Sequence, residues 1–207
     1  KYSIGNIVAC DDDDTNRTRA YCNEALRDIC KVIGLSIESN VVDLRKNSCG
    51  ALGNLVFGND NIRKAAIDLH AASLIRKLAF SCQSADTADF QLAWFTLECL
   101  KDIRALSDLA LHHGKETLFH SLSEFCEDSR MASEVDLAGV ANVARTQNDA
   151  SAAYALAIVA KACSTEAGCN RACDAGIYSA LASIALGSNI GLTHTSLGSL
   201  RNIPLEI

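Results

Sequence analysis

Three groups of residues have types and spacings that could do chemistry. Cys163, Cys169 and Cys173 place three thiols along one stretch, and thiolates hold structural zinc when four tetrahedral ligands converge. The stretch lacks a Cys-x-x-Cys pair or a neighbouring histidine, so these are read as buried thiols. His112-His113 with His120 supplies three imidazoles. Adjacent side chains on a helix diverge, and a partly charged His at a helix end favours the dipole, so capping and surface roles are expected. Asp11, Asp12, Asp13 and Asp14 form an acidic patch, either a solvated inter-helix loop or an attractor for a basic partner.

Covalent chemistry finds no further support. No nucleophile elbow is present. Gly50-Ala51-Leu52-Gly53 lies in an apolar helical stretch and reads as close helix packing rather than a phosphate loop. The chain is read as a non-enzyme, without metal or cofactor.

The elements that must position these residues are helices. Of 207 residues, 49% are hydrophobic, Pro occurs once and Gly twelve times, so helices can run with few interior breakers. Apolar stretches such as Ala152 to Ala160 fall well short of the ~20 residues of a membrane span, which predicts a soluble protein without membrane insertion. Net charge is −6, which disfavours nucleic acid. Cys30, Cys49, Cys82, Cys99, Cys126 and Cys163 sit among apolar helical positions, where free Cys behaves as a small hydrophobe. That use of the ten cysteines points to a reducing, cytoplasmic location.

One short phrase recurs along the chain. Ile4-Gly5-Asn6-Ile7 returns as Leu52-Gly53-Asn54-Leu55, Leu106-Ser107-Asp108-Leu109 and Leu200-Arg201-Asn202-Ile203, with a degenerate copy at Leu156-Ala157-Ile158-Val159. The steps between equivalent points are 48, 54, 50 and 44 residues, at or slightly above the roughly 40–47 of armadillo and HEAT repeats. Approximate repeats are 10–57, 58–111, 112–163 and 164–203, with a partial one at 1–9. The chain starts and stops close to copies of the phrase, which reads as a fragment of a longer array.

The final repeat shows the internal order. Ser164 to Gly168 is a loop, Cys169 to Gly176 a short helix closed by glycine, Ile177 to Leu186 a second helix and Thr193 to Ile203 a third. An equivalent turn at Asp68-Leu69-His70 lacks the glycine, and Phe90 to Leu111 is either one long helix or two. Three helices per repeat, with the string Asn170-Arg171 through Asp174-Ala175-Gly176-Ile177, resemble the armadillo consensus. The expected fold is all-α: an armadillo-type right-handed α-solenoid in a single array.

That resemblance implies that third helices line a groove in which the phrase Asn bonds the backbone of an extended partner. Asn6, Asn54, Arg104, Asp108, Tyr154 and Asn202 are then the partner-binding candidates. Alternatively the phrase residues satisfy backbone of a neighbouring repeat. Importin-α-like cargo receptors carry a Trp one turn before each groove Asn. Here those positions are Tyr2, Gly50, Arg104, Tyr154 and Gly198, while Trp94 lies off the line and is assigned to the core.

Several stretches are similar to the armadillo-repeat stimulator of small-GTPase nucleotide exchange, SmgGDS. These are Ile4 to Ala9, Ser107 to Leu111 with Lys115 to Phe119, Tyr154 to Ile158 and, most closely, His194 to Ile203. Ala160-Lys161 departs from it, standing where that family has Asn-Phe. The resemblance implies a cytosolic protein that grips Ras- or Rho-type GTPases with basic, prenylated tails and releases their nucleotide or chaperones them. The alternative is a structural scaffold subunit of a large multiprotein assembly.

Overall fold

Leu26, Ile29, Cys30 and Ile33 recur at helical spacing and are all buried, so the first described helix forms because one stripe of its surface leaves water. The same logic runs through a computed structural model that describes residues 24–147, 149–187 and 190–202. Asn6 and the Asp11 to Asp14 patch lie outside the described residues. Contacts divide the chain into two compact units, Lys1–Ala105 and Leu106–Ile207.

In the first unit α1 (Ala25–Ser39) packs on α2 (Val42–Val56) and α4 (Ala71–Ser81), and α2 and α4 each pack on α5 (Ala88–Leu100). The short α3 (Asp60–Asp68) touches α2, α4 and α5. Its N-terminus is fixed by Asn59, whose side chain accepts from the Ile62 amide at 3.0 Å, satisfying one of the first-turn donors. The turn from α3 into α4, which has no glycine, is made by His70 with φ 58°. Its counterpart between the later helices is Gly176 with φ 67°. His70 thus bears a left-handed backbone that favours glycine, at about 1 kcal/mol.

Phe90 to Leu111 is two helices. Lys101 takes φ 57° and ends α5, and the Asp102 carboxylate accepts from the Ala105 amide at 3.0 Å, starting α6 (Ile103–His113). Leu106-Ser107-Asp108-Leu109 therefore lies inside an eleven-residue helix rather than closing a long one. Leu52 to Leu55, in contrast, does close α2.

The second unit continues from α6 with α7 (Glu116–Phe125), the four-residue α8 (Ser129–Ala132), α9 (Leu137–Thr146), α10 (Ala150–Ala162), α11 (Glu166–Asp174), α12 (Ile177–Ala185) and α13 (Ile190–Asn202). Two sets of helices stack. The Ser107 hydroxyl of α6 accepts from the Asp136 amide at the head of α9 at 3.2 Å, and α9 packs on α12. In the other set α7 packs on α10 and α10 on α13. The last three helices follow the expected order, but α11 starts at Glu166 and α13 at Ile190, three residues earlier than the sequence suggests in each case. For α11 the reason is Thr165, whose hydroxyl accepts from the Gly168 amide at 3.1 Å. A stretch read as a loop is thereby a capped first turn.

Among the described residues no strand is present and no helix is long and apolar enough to cross a membrane.

Candidate protein-binding faces

On α2 the phrase presents Leu52, Gly53 and Leu55 to the interior and leaves Asn54 half-buried. The neighbour across the interface is α5. Gly53 lets the helices approach closely: a Cβ would sit 3.0 Å from the Phe95 ring and 3.1 Å from the Thr96 hydroxyl, so those side chains would have to give way by a few tenths of an ångström. That hydroxyl donates to the Cys49 carbonyl at 3.0 Å, tying the two helices together. The close approach brings Phe57, which ends α2 and is 55% exposed, onto Phe95 with ring centroids 6.4 Å apart.

Glu98 stands two residues before the end of α5, as Asn54 stands two before the end of α2. Its carboxylate accepts from the Trp94 indole at 2.6 Å, and Trp94 itself is buried at 5% exposure. Trp94 is therefore core, as expected, yet it also fixes an acceptor one turn on. An amide, a carboxylate and two stacked rings thus belong to one helix pair. The sequence reading overlooked Phe57, Phe95 and Glu98 because the phrase at Leu106 drew the equivalence away from α5. The signal that could have found them is Asp102 as a helix-starting residue, which closes the preceding helix near Leu100.

The candidate residues fall on different helices. Arg104, exposed, and Asp108, half-buried, lie one turn apart on α6, which contacts α9. Tyr154 is on α10 and Asn202 ends α13, two helices that pack together. The second unit therefore keeps Asp108 in one helix set and Tyr154 and Asn202 in the other. Tyr154 meets the His120 ring of α7 edge to face at 4.8 Å, and His120 Nε2 is 3.8 Å from Glu124. Along the same helix Ala157 and Lys161 are exposed and Ala160 half-buried, while Ile158 is buried. The degenerate phrase thus offers no polar side chain at position 158.

His112 and His120 are exposed, in keeping with surface roles, but the expectation needs correction at His113. The rings of His112 and His113 do not diverge but meet edge to face at 4.9 Å. Burial, then the charges of His112 and Lys115, lower the pKa of His113, which favours its neutral form rather than a charged partner for the dipole.

Cys169 donates its thiol to the Cys163 carbonyl at 2.9 Å. Among the described residues no group of three or more His, Cys, Asp or Glu side chains is placed to hold a metal ion. Burial, the first cause in each case, pushes the thiols of Cys49, Cys82, Cys126 and Cys163 up to about 12. These thiols should resist iodoacetamide at pH 8 in the folded protein and react on denaturation, since the thiolate is the nucleophile. Peptide mapping after timed labelling measures this, and equal rates in both states would contradict it.

No family model matches the chain, and no curated protein matches it. Solved structures do. A designed armadillo repeat protein superposes with a TM-score of 0.58 at 13% identity, covering 97% of this chain and 90% of the other. The fold is an armadillo-type α-solenoid. A second designed armadillo repeat protein, in complex with the peptide (KR)4, also gives a TM-score of 0.58, at 14% identity over 97% of this chain and 90% of its own. An engineered protein matches at a TM-score of 0.55 and 15% identity, covering 97% of this chain and 52% of that one.

Proposed function

We propose that the chain is a protein-binding armadillo scaffold that takes an extended basic segment of its partner on the α2/α5 face. The observation that carries this reading is Glu98, oriented by Trp94 on the helix that also carries, three residues earlier, the Phe95 ring stacked on Phe57. A carboxylate with adjacent aromatic faces suits the charge and the apolar stem of a lysine or arginine. Asn54 supplies an amide to an extended backbone, and the net charge of −6 steers a basic segment inward. A designed armadillo structure of the same fold holds the peptide (KR)4, an analogy of fold alone.

The sequence resemblance to SmgGDS names the partner: a Ras- or Rho-type GTPase with a polybasic tail. Nucleotide release would follow if the scaffold binds the nucleotide-free state more tightly than the loaded one. No residue of this chain would then do covalent chemistry. Release of a fluorescent guanine nucleotide from such GTPases, measured with and without the protein at two salt concentrations, tests it. Faster release or a salt-sensitive complex is expected. No effect and no complex with any member would remove the GTPase reading.

A second reading, a fixed subunit of a larger assembly, is favoured by exposed apolar side chains. In the first unit these include Leu35, Val41 and Val42, and in the second Tyr178, Leu197 and Leu186, the last 89% exposed.

A further inference from the structure

In the second unit α9 packs on α12, and a cavity of about 290 Å³ remains at their junction. Ala138, Asn142 and Arg145 line it from α9, and Gly176, Ser179 and Ala180 from the turn into α12 and its first residues. Positions 138, 142 and 145 are one helical turn apart and so share a face of α9. Arg145 is exposed, and its Nη2 donates to Asn142 Oδ1 at 2.9 Å. That is the one bond either side chain makes among the described residues. It uses the amide as an acceptor, so the two amide N–H donors remain beside the rest of the arginine fork. Donors in excess of acceptors, in a space otherwise walled by alanine, suit a carboxylate that brings an apolar group with it. Neither lining helix supplies a carboxylate. The two read LAGVANVART and IYSALASIA, with one cation and no acid, in a chain of net charge −6. Of the acids that flank them, Asp136 accepts from the Gly139 amide at 3.1 Å, and Asp174, exposed at the end of α11, does not line the cavity.

We propose that this cavity captures the C-terminal carboxylate of a partner chain whose last residue is apolar. A chain end carries its carboxylate and its side chain on the same carbon, so one residue meets both the Arg145–Asn142 donors and the alanine wall. An internal Asp or Glu holds its carboxylate at the tip of its own side chain and would leave the alanines uncovered. The guanidinium fork matches a carboxylate bidentately, and capture of a terminal carboxylate is a recurring mode of peptide recognition. The ligand has the opposite sign to the basic segment of the α2/α5 face and lies in the other unit. The proposal stands independently of that reading.

The test titrates the full chain with fluorescein-labelled Ser-Gly-Ser-Ala-Val bearing a free carboxylate, with its C-terminal amide, and with the amide of Ser-Gly-Glu-Ala-Val, followed by anisotropy. Saturable binding of the free acid alone is expected, weakening as salt rises. It should fall about tenfold in Arg145→Ala, and Arg145→Lys should not restore it, since an ammonium cannot present the fork. Ala138→Leu, which fills the cavity from an exposed position, should weaken binding several-fold with thermal unfolding unchanged. No saturable binding of the free acid, or binding indifferent to these substitutions, overturns the proposal. Equal binding of either amide would assign the cavity to an internal acid or to the peptide body and would equally overturn it.

Discussion

An Arg45→Met variant should lose about 3–5 kcal/mol of folding stability, the cost of leaving a buried charge without its partner. Arg45 and Asp89 are 3.7 Å apart with side chains only 5% and 6% exposed, and they join α2 to the first turn of α5. Arg45 also donates to the Ser36 carbonyl at 3.2 Å, so its loss strands an acceptor near the end of α1 as well. Burial alone would raise the Asp89 pKa, but hydrogen bonds from Thr87, Cys82 and its local backbone outweigh it and lower the value. A carboxyl with a depressed folded pKa contributes stability that is present above its unfolded value of roughly 3.9 and is lost as pH falls through the folded value.

Three outcomes follow for denaturant unfolding at pH 7 and below. Arg45→Met is strongly destabilised. Arg45→Met/Asp89→Leu recovers much of the loss, because an apolar pair of similar volume leaves no buried charge. Asp89→Asn is less stable at pH 7 and loses less of what remains on acidification. A single variant within about 0.5 kcal/mol of the parent, the range of ordinary surface changes, would show that the pair does not hold α2 to α5.

Gly168→Ala should destabilise by about 1–3 kcal/mol or more, since overpacking against fixed atoms costs at least that. A Cβ at Gly168 would stand 2.0 Å from the Ala162 carbonyl oxygen and 2.7 Å from its carbon. That backbone belongs to the last turn of α10 and cannot swing aside as a side chain would. The Thr165 cap on the Gly168 amide would be displaced too, unseating the start of α11. Gly34→Ala makes the contrast: nothing lies within 4 Å of its Cβ position inside α1, so it should be neutral or stabilising by up to about 1 kcal/mol. Thermal unfolding of the two variants side by side checks this. Similar behaviour would mean that the α10–α11 corner can relax.

The helical class was legible because apolar stripes such as Leu26 to Ile33 have a single period. The order of the last three helices was legible because Gly176 and Gly187 punctuate them. The register of the middle was not. His70 and Lys101 adopt left-handed backbone with ordinary side chains, so two turns carry no glycine to mark them. The Leu-Ser-Asp-Leu string at Leu106 repeats the burial pattern of Leu52 to Leu55 because both are stripes of a buried helix, whichever helix of a repeat they occupy.

The candidate site suffered from the same ambiguity. Equating Asp108 with Asn54 points to α6 rather than to Glu98 and Phe95 of α5, and only the packing of α2 on α5 brings Phe57 onto Phe95. Asn54 and Tyr154 were singled out by the sequence alone. Phe95, which faces Gly53, and His120 of α7, which meets Tyr154, come from contacts between residues 42 and 34 apart in sequence (95−53 and 154−120) that no local pattern encodes.

The most direct test of the account is a titration of the full chain with a labelled alternating Lys-Arg octapeptide, comparing the parent with Glu98→Lys and with Phe57→Ala at low and moderate salt. The account predicts saturable, salt-sensitive binding that falls about tenfold in Glu98→Lys and several-fold in Phe57→Ala. Binding of equal strength in all three proteins, or none by the parent, would contradict a basic-segment site on the α2/α5 face.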